Sequence, residues 1–267
     1  MSRRAFRLAY DGAPFRGFQR QPDVPTVEDA LFDVLRALGV LDDAAPRPSG
    51  YAASGRTDAG VSARAQTVAF DCPDWLEPSA LNAELPDAVW AWASADVPSD
   101  FHARHDARYR EYVYYLHAPE GDVSLAREAA RGLSGERDFR NLTSDRTGTV
   151  RDLELALAAD GEFLVLTARA GGFPRGLVRR VASLVGSVAT GDVPPTRIER
   201  VCSADPLPGS LGVPAAPPGP LVLVDVGYEG VTFERDERAA EDARRHFARS
   251  LATHRALARV ADAIEDL

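Results

Sequence analysis

Period-two alternation of apolar and polar residues recurs along this chain and limits it to folds rich in strands. Phe6, Leu8 and Tyr10 share one face of residues 4–10, so that segment reads as a strand ending at the turn Asp11-Gly12. Residues 67–72, 89–97, 109–116 and 221–228 read the same way, and residues 50–53 as a shorter strand. Leu153, Leu155 and Leu157 alternate up to Asp160-Gly161, and residues 163–168 pair back as a hairpin.

Helical spacing is clearest twice. Thr26, with Asp29 three positions on, caps a stripe of Val27, Ala30, Leu31, Val34, Leu35 and Leu38 that Gly39 closes. Leu177, Val181, Leu184, Val185 and Val188 form the second stripe. Residues 78–85 and 125–133 predict shorter helices. Residues 236–267 predict a charged helix with Phe247, Leu251, Leu257, Val260 and Ile264 as its apolar positions. Residues 42–48 and the Pro/Gly-rich residues 206–220 are loops. Regular βαβ repetition is missing, so a mostly antiparallel α+β sheet is expected.

The 267 residues suffice for one large or two modest domains. All 31 basic residues are Arg, and 40 Asp and Glu give a net charge of −9. A high-GC genome explains missing Lys but not the acidic excess. Proteins of cells that keep molar salt inside show both. At about 1 M salt the Debye length is about 3 Å, so the net charge does not exclude a nucleic-acid ligand. Cys72 and Cys202 are isolated, and His102 and His105 lack further ligands, so neither disulfide nor metal site is expected. No apolar run approaches the roughly 20 residues of a membrane span, and the start lacks the apolar core of a leader, so a cytoplasmic protein is expected. No phosphate-binding glycine loop or Ser-His-Asp arrangement appears, and no cofactor is expected.

Two segments carry candidate chemistry. In Ser54-Gly-Arg-Thr-Asp-Ala-Gly60, two glycines flank an Arg-Thr-Asp tripeptide that presents Arg56 and Asp58 together. A carboxylate beside Arg can serve as a nucleophile, although a surface turn with a weak ion pair is the more economical reading of the residues alone. In the strand at 109–116, Arg108, Arg110, Tyr112 and Tyr114 alternate onto one face, which suits phosphate contact and base stacking. Inward-packing tyrosines are again the plainer reading.

The segment from Ser54 to Gln66 resembles the signature of TruA-type pseudouridine synthases, with Ser62 where that family usually has His. Tyr10-Asp-Gly-Ala-Pro-Phe-Arg-Gly-Phe-Gln-Arg-Gln-Pro22 is similar to the family's opening motif. Leu81-Asn-Ala-Glu-Leu-Pro86, Asp100-Phe-His-Ala-Arg104 and Ala107-Arg-Tyr-Arg-Glu-Tyr-Val-Tyr114 resemble later ones. Gly135-Glu-Arg-Asp-Phe139, Gly172-Phe-Pro-Arg-Gly-Leu-Val-Arg179 and Gly219-Pro-Leu-Val-Leu-Val224 continue the resemblance, which runs from about residue 4 to 233.

The resemblance implies a pseudouridine synthase fold. Two α/β domains, residues 1–105 and 106–267, would join mostly antiparallel sheets across a catalytic cleft. It implies that a homodimer binds tRNA and converts uridines on the 3′ side of the anticodon stem-loop to pseudouridine without a cofactor. Asp58 would be catalytic, Arg179 would pair with it, and Arg56 would fill the vacated stack or contact phosphate. Tyr112 would stack on the uracil and help move a proton. Arg108, Arg110, Gln66 and Phe139 would contact RNA. The alternatives are a non-catalytic RNA-binding module and a pseudouridine synthase acting on another RNA. A pure binder has no use for a carboxylate facing its anionic ligand.

The acidic, Lys-free composition predicts that stability rises with salt, because screening removes self-repulsion over a Debye length of about 10 Å at 0.1 M. Melting followed by circular dichroism should move upward from 0.1 M toward molar KCl. A melting point independent of KCl would assign the Arg bias to codon composition.

Overall fold

The computed structural model describes residues 1–203, 205–208 and 211–265. Its strands are β1 (Ser2–Tyr10), β2 (Ala52–Ala53), β3 (Ser62–Cys72), β4 (Val89–Asp96), β5 (Ala107–His117), β6 (Gly135–Asp138), β7 (Val150–Asp160), β8 (Phe163–Ala170), β9 (Leu221–Tyr228) and β10 (Glu234–Arg235). They form one ten-stranded sheet in the order β10-β4-β1-β3-β9-β5-β8-β7-β6, with β2 paired to β3. Every pairing is antiparallel except β3–β9, where Ser62 meets Val222 and Ala63 meets Leu223. The expected mostly antiparallel α+β class is therefore the observed one.

The helices are α1 (Val27–Ala37), α2 (Pro78–Asn82), α3 (Val123–Leu133), α4 (Leu177–Ala189), α5 (Arg197–Val201) and α6 (Glu237–Glu265). Thr26 caps α1 as its spacing predicts, its hydroxyl accepting the Asp29 N–H at 3.2 Å. One apolar cluster joins the buried faces of α1, α3 and α4 to Phe6, Leu8, Phe70, Leu153 and Leu166 on the sheet. A smaller cluster on Ala5, Ala69, Phe101 and Ala103 covers part of the opposite face.

Some boundaries differ from the sequence reading. β3 begins at Ser62, five residues earlier than the pattern suggests, because its inward residues Ala63 and Ala65 are too small to register as an apolar alternation. β6 and β10 carry no apolar signature, and α5, with only Ile198 and Val201 buried, is too short to show a stripe. The buried face of α6 is Ala239, Ala240 and Ala243, while Leu251, Leu257, Val260 and Ile264 are exposed. Residues 209 and 210 of the expected loop, and 266 and 267 of the expected helix, lie outside the described residues. Among the described residues no helix is long and apolar enough to cross a membrane.

The seam between β3 and β9 is short, and Arg7 reinforces it. This buried side chain reaches from β1 past β3, donating to Ala65 O at 3.1 Å and to Val226 O at 2.6 Å. It also pairs with Asp225 at 3.3 Å and lies 4.3 Å from the Phe233 ring centre. Arg7→Met would leave two carbonyls without this donor and Asp225 without its ion-pair partner, though the Tyr109 hydroxyl still reaches Asp225, at a cost of about 2–4 kcal/mol. Urea unfolding at fixed KCl measures this. A loss within about 0.5 kcal/mol, ordinary for a surface substitution, would contradict the role.

Candidate active site

The Arg-Thr-Asp segment connects β2 to β3 and is fastened at several points. The Ser54 hydroxyl donates to the Gln66 carboxamide oxygen, and Gln66 Nε2 donates to Gly55 O at 3.0 Å. Arg110 Nη2 donates to Ser54 O at 2.6 Å. Phe18 N–H donates to Thr57 O at 3.2 Å, and the Thr57 hydroxyl bonds the buried Tyr10 hydroxyl at 2.8 Å. The opening motif thus braces the loop from one side. Two of its glycines are required by that contact. A Cβ on Gly12 would sit 2.3 Å from Val61 O, and Gly17 has φ +106° with a Cβ position 3.0 Å from Thr57 O. Ser62, where the resembled family usually has His, accepts the Gly12 N–H on its hydroxyl at 3.0 Å and so belongs to the same brace.

The loop forms one wall of a cleft of about 1080 Å³ that spans the β3–β9 seam. Asp58 and Arg179 meet across it, Oδ2 to Nη1 at 3.3 Å, with side chains 40% and 20% exposed. Arg179 lies in the first turn of α4 and is itself fixed by donating from Nε to Ala216 O at 2.6 Å. The carboxylate is therefore oriented yet open to a ligand.

Tyr112 on β5 lines the same cleft. Its ring meets Phe173 edge-on, centroids 5.1 Å apart. Its hydroxyl has no hydrogen-bond partner among the described residues, whereas Tyr114 two positions on donates to Pro217 O at 3.1 Å. Burial pushes the Tyr112 phenol up to about 12, so it is protonated at neutral pH and available as a hydrogen-bond donor.

The cleft wall carries Arg16, Arg56, Arg104, Arg110, Arg151, Arg175 and Arg179 against only Asp58 and Asp145. A chain of net charge −9 thus concentrates seven cations in a cleft with two carboxylates. Arg56 is exposed and unpaired among the described residues.

Other sequence candidates fall differently. Arg110 lines the cleft, but it is buried and donates to the carbonyls of Ser54, Gly171 and Arg104. Burial lowers its pKa. It ties three cleft walls together instead of offering its charge to a ligand. Arg108 lies outside the lining, exposed and paired with Glu229. A register shift between Ala107 and Tyr109 against β9 separates it from the row that the alternation predicts. Gln66 and Phe139 are fully buried and do not line the cleft. Arg16, Arg104, Arg151, Arg175 and Phe173 do line it. All but Arg151 lay within quoted motifs, where nothing marked them apart from their neighbours.

The buried phenols make alkaline stability a readout. Tyr112 and Tyr228 are both pushed up to about 12 by burial, against an ordinary value near 10. Above about pH 10 the unfolded chain loses these protons and the folded one keeps them, so stability is full below pH 10 and falls toward pH 12. Tyr112→Phe should flatten that fall by about 1–3 kcal/mol, seen by urea unfolding at pH 8 and 11. An unchanged slope would mean Tyr112 titrates as in water.

The similarities to known proteins agree with this geometry. A family model described as tRNA pseudouridine synthase matches residues 129–229. A tRNA pseudouridine synthase A of Haloarcula marismortui is 55% identical over 272 residues, covering 98% of this chain and 99% of that protein. One from Natronomonas pharaonis is 56% identical, covering 98% of each. One from Methanothrix thermoacetophila is 38% identical, covering 87% of this chain and 85% of that protein. Likeness over nearly the whole length, joined to a carboxylate–arginine pair in an arginine-rich cleft, assigns the chain to the TruA family of tRNA pseudouridine synthases.

Proposed function

We propose that this protein isomerises uridine to pseudouridine in the anticodon stem-loop of tRNA, with Asp58 as the catalytic residue. The observation that carries this reading is an accessible carboxylate, Asp58, held by Arg179 in a cleft that carries six further arginines. The exposed ones, Arg16, Arg56, Arg104 and Arg175, suit an RNA backbone. The carboxylate would only repel that backbone, so a binding module would have no use for it.

The reaction breaks the N1–C1′ bond, turns the uracil and forms a C5–C1′ bond. The C5 proton leaves and N1 ends with one, so atoms and electrons balance without oxidant, ATP or metal. A base stacked in a stem is out of reach and must be flipped into the cleft. Asp58 then acts at C1′ or at C6, or assists glycal formation. Arg179 pairs with Asp58 and aims it, and Arg56 fills the vacated stack or holds a phosphate. Tyr112 stacks on the uracil. Its hydroxyl, protonated near neutral pH, relays the C5 proton by passing its own proton to water as it takes up the one from C5. Residues 1–105 and 106–267 act as the two units closing on the RNA, and a homodimer is the working form.

Carbodiimide mapping of pseudouridine in treated tRNA tests this. Wild type should mark the anticodon stem-loop. Asp58→Asn should mark nothing while binding tRNA near wild-type affinity, since its shape is kept. Marks elsewhere only would favour another RNA site, and substantial turnover by Asp58→Asn would remove it from catalysis. Tyr112→Phe keeps the ring, so its rate should fall about 10²-fold with binding retained if the hydroxyl relays the proton. A wild-type rate would reduce Tyr112 to a stacking platform.

A further inference from the structure

A second cavity, of about 340 Å³, adjoins the cleft and is not used by the chemistry above. Gly55, Arg56, Arg104, Phe18 and Gln19 line both spaces, so the two are continuous past the start of the catalytic loop. The second cavity adds Arg20, Arg47 and His102, with the half-buried Tyr51 at its wall and the buried Phe32 behind it under Arg20.

Its charges are unevenly satisfied. Arg20 is neutralised by Asp29 at 2.6 Å and also donates to Pro46 O at 3.1 Å. The Glu28 carboxylate accepts the Tyr51 hydroxyl at 2.8 Å and the Arg20 N–H at 2.9 Å. The guanidinium groups of Arg47, Arg56 and Arg104 have no hydrogen bond or ion pair among the described residues. In a chain with 40 acidic and 31 basic residues, partners for these three were available in composition and were not placed there. Three unpaired cations around a concave space make a site for an anion with more than one charged group. The volume sits at the lower end of the roughly 300–1,000 Å³ of ligand pockets, enough for one nucleotide and too little for a duplex. The exposed guanidinium planes suit an unstacked base.

We propose that this second cavity seats the nucleotide next to the flipped uridine, with its flanking phosphates on Arg56, Arg104 and Arg47. The proposal rests on the functional reading above. It makes Arg56 the point where the strand crosses from one space to the other, and Arg47 an RNA contact remote from the reacting atoms.

Arg47→Glu tests it on the full chain with intact tRNA at one fixed KCl concentration. Arg47 is exposed and unpaired, so the variant should melt with wild type. Its Kd for tRNA should rise about tenfold, while the single-turnover rate at saturating enzyme stays at the wild-type value. Arg47→Ala should raise Kd about threefold and lower the slope of log K against log salt by about 1. Arg255→Glu makes the same charge change on α6, which lines neither cavity, and should leave Kd unchanged. Ethylation of phosphates beside the target uridine should weaken binding to wild type and matter less to Arg47→Glu. Wild-type affinity in Arg47→Glu, or an equal loss in Arg255→Glu, overturns the site. If wild type forms no pseudouridine at all, the functional reading fails first and this proposal with it.

Discussion

The ion pair between Asp58 and Arg179 joins a loop from one half of the sheet to a helix from the other, across the cleft that both line. The 3.3 Å separation is maintained by packing on both sides. Asp58 is placed by a loop that Tyr10, Phe18 and Ser62 brace from the opening motif. Arg179 is placed by the start of α4 and by the Ala216 carbonyl. Between them lies the short parallel contact of β3 with β9, which Arg7 bridges on one face. Arg110 fastens the loop, the exit of β8 and the Arg104 segment to one another. Two buried arginines bonded to backbone carbonyls therefore decide whether the exposed ones face a formed site. A buried guanidinium has five donors in a fixed fork, which suits the joining of several chain segments at one point.

The charge distribution follows from the same division of labour. The surface as a whole is acidic, and the cleft is not. In molar salt, long-range attraction between Arg and phosphate is screened along with the repulsion of the acidic surface. Recognition then depends on short-range hydrogen bonding and stacking, for which Arg is better suited than Lys. Relatives from Haloarcula and Natronomonas at 55% and 56% identity are consistent with a protein of salt-loving cells.

Much of this was legible in the sequence, and the failures have physical causes. The stripes of α1 and α4 and the β7–β8 hairpin were visible because large apolar residues mark their buried faces. The early start of β3 was hidden because alanines fill its inner face. The apolar positions named for α6 mislead, since its packing uses alanines near its beginning. Asp58, Arg56, Tyr112 and Arg179 stand together in the cleft, as the family resemblance implied. Arg110 stands there too, but strand alternation carries no information on whether an inward Arg meets a ligand or a carbonyl. Gln66 braces the loop from behind through Ser54 and Gly55, and Phe139 packs in the core.

The central claim is that Asp58 drives exchange of the N1–C1′ bond for a C5–C1′ bond. The C5 hydrogen must leave in that exchange, so tRNA carrying tritium at C5 of uridine reports it directly. Wild type should release tritium into water in proportion to the pseudouridine formed, and Asp58→Asn should release none. Release by Asp58→Asn at a rate near that of wild type, or pseudouridine formed by wild type without release, would contradict the account.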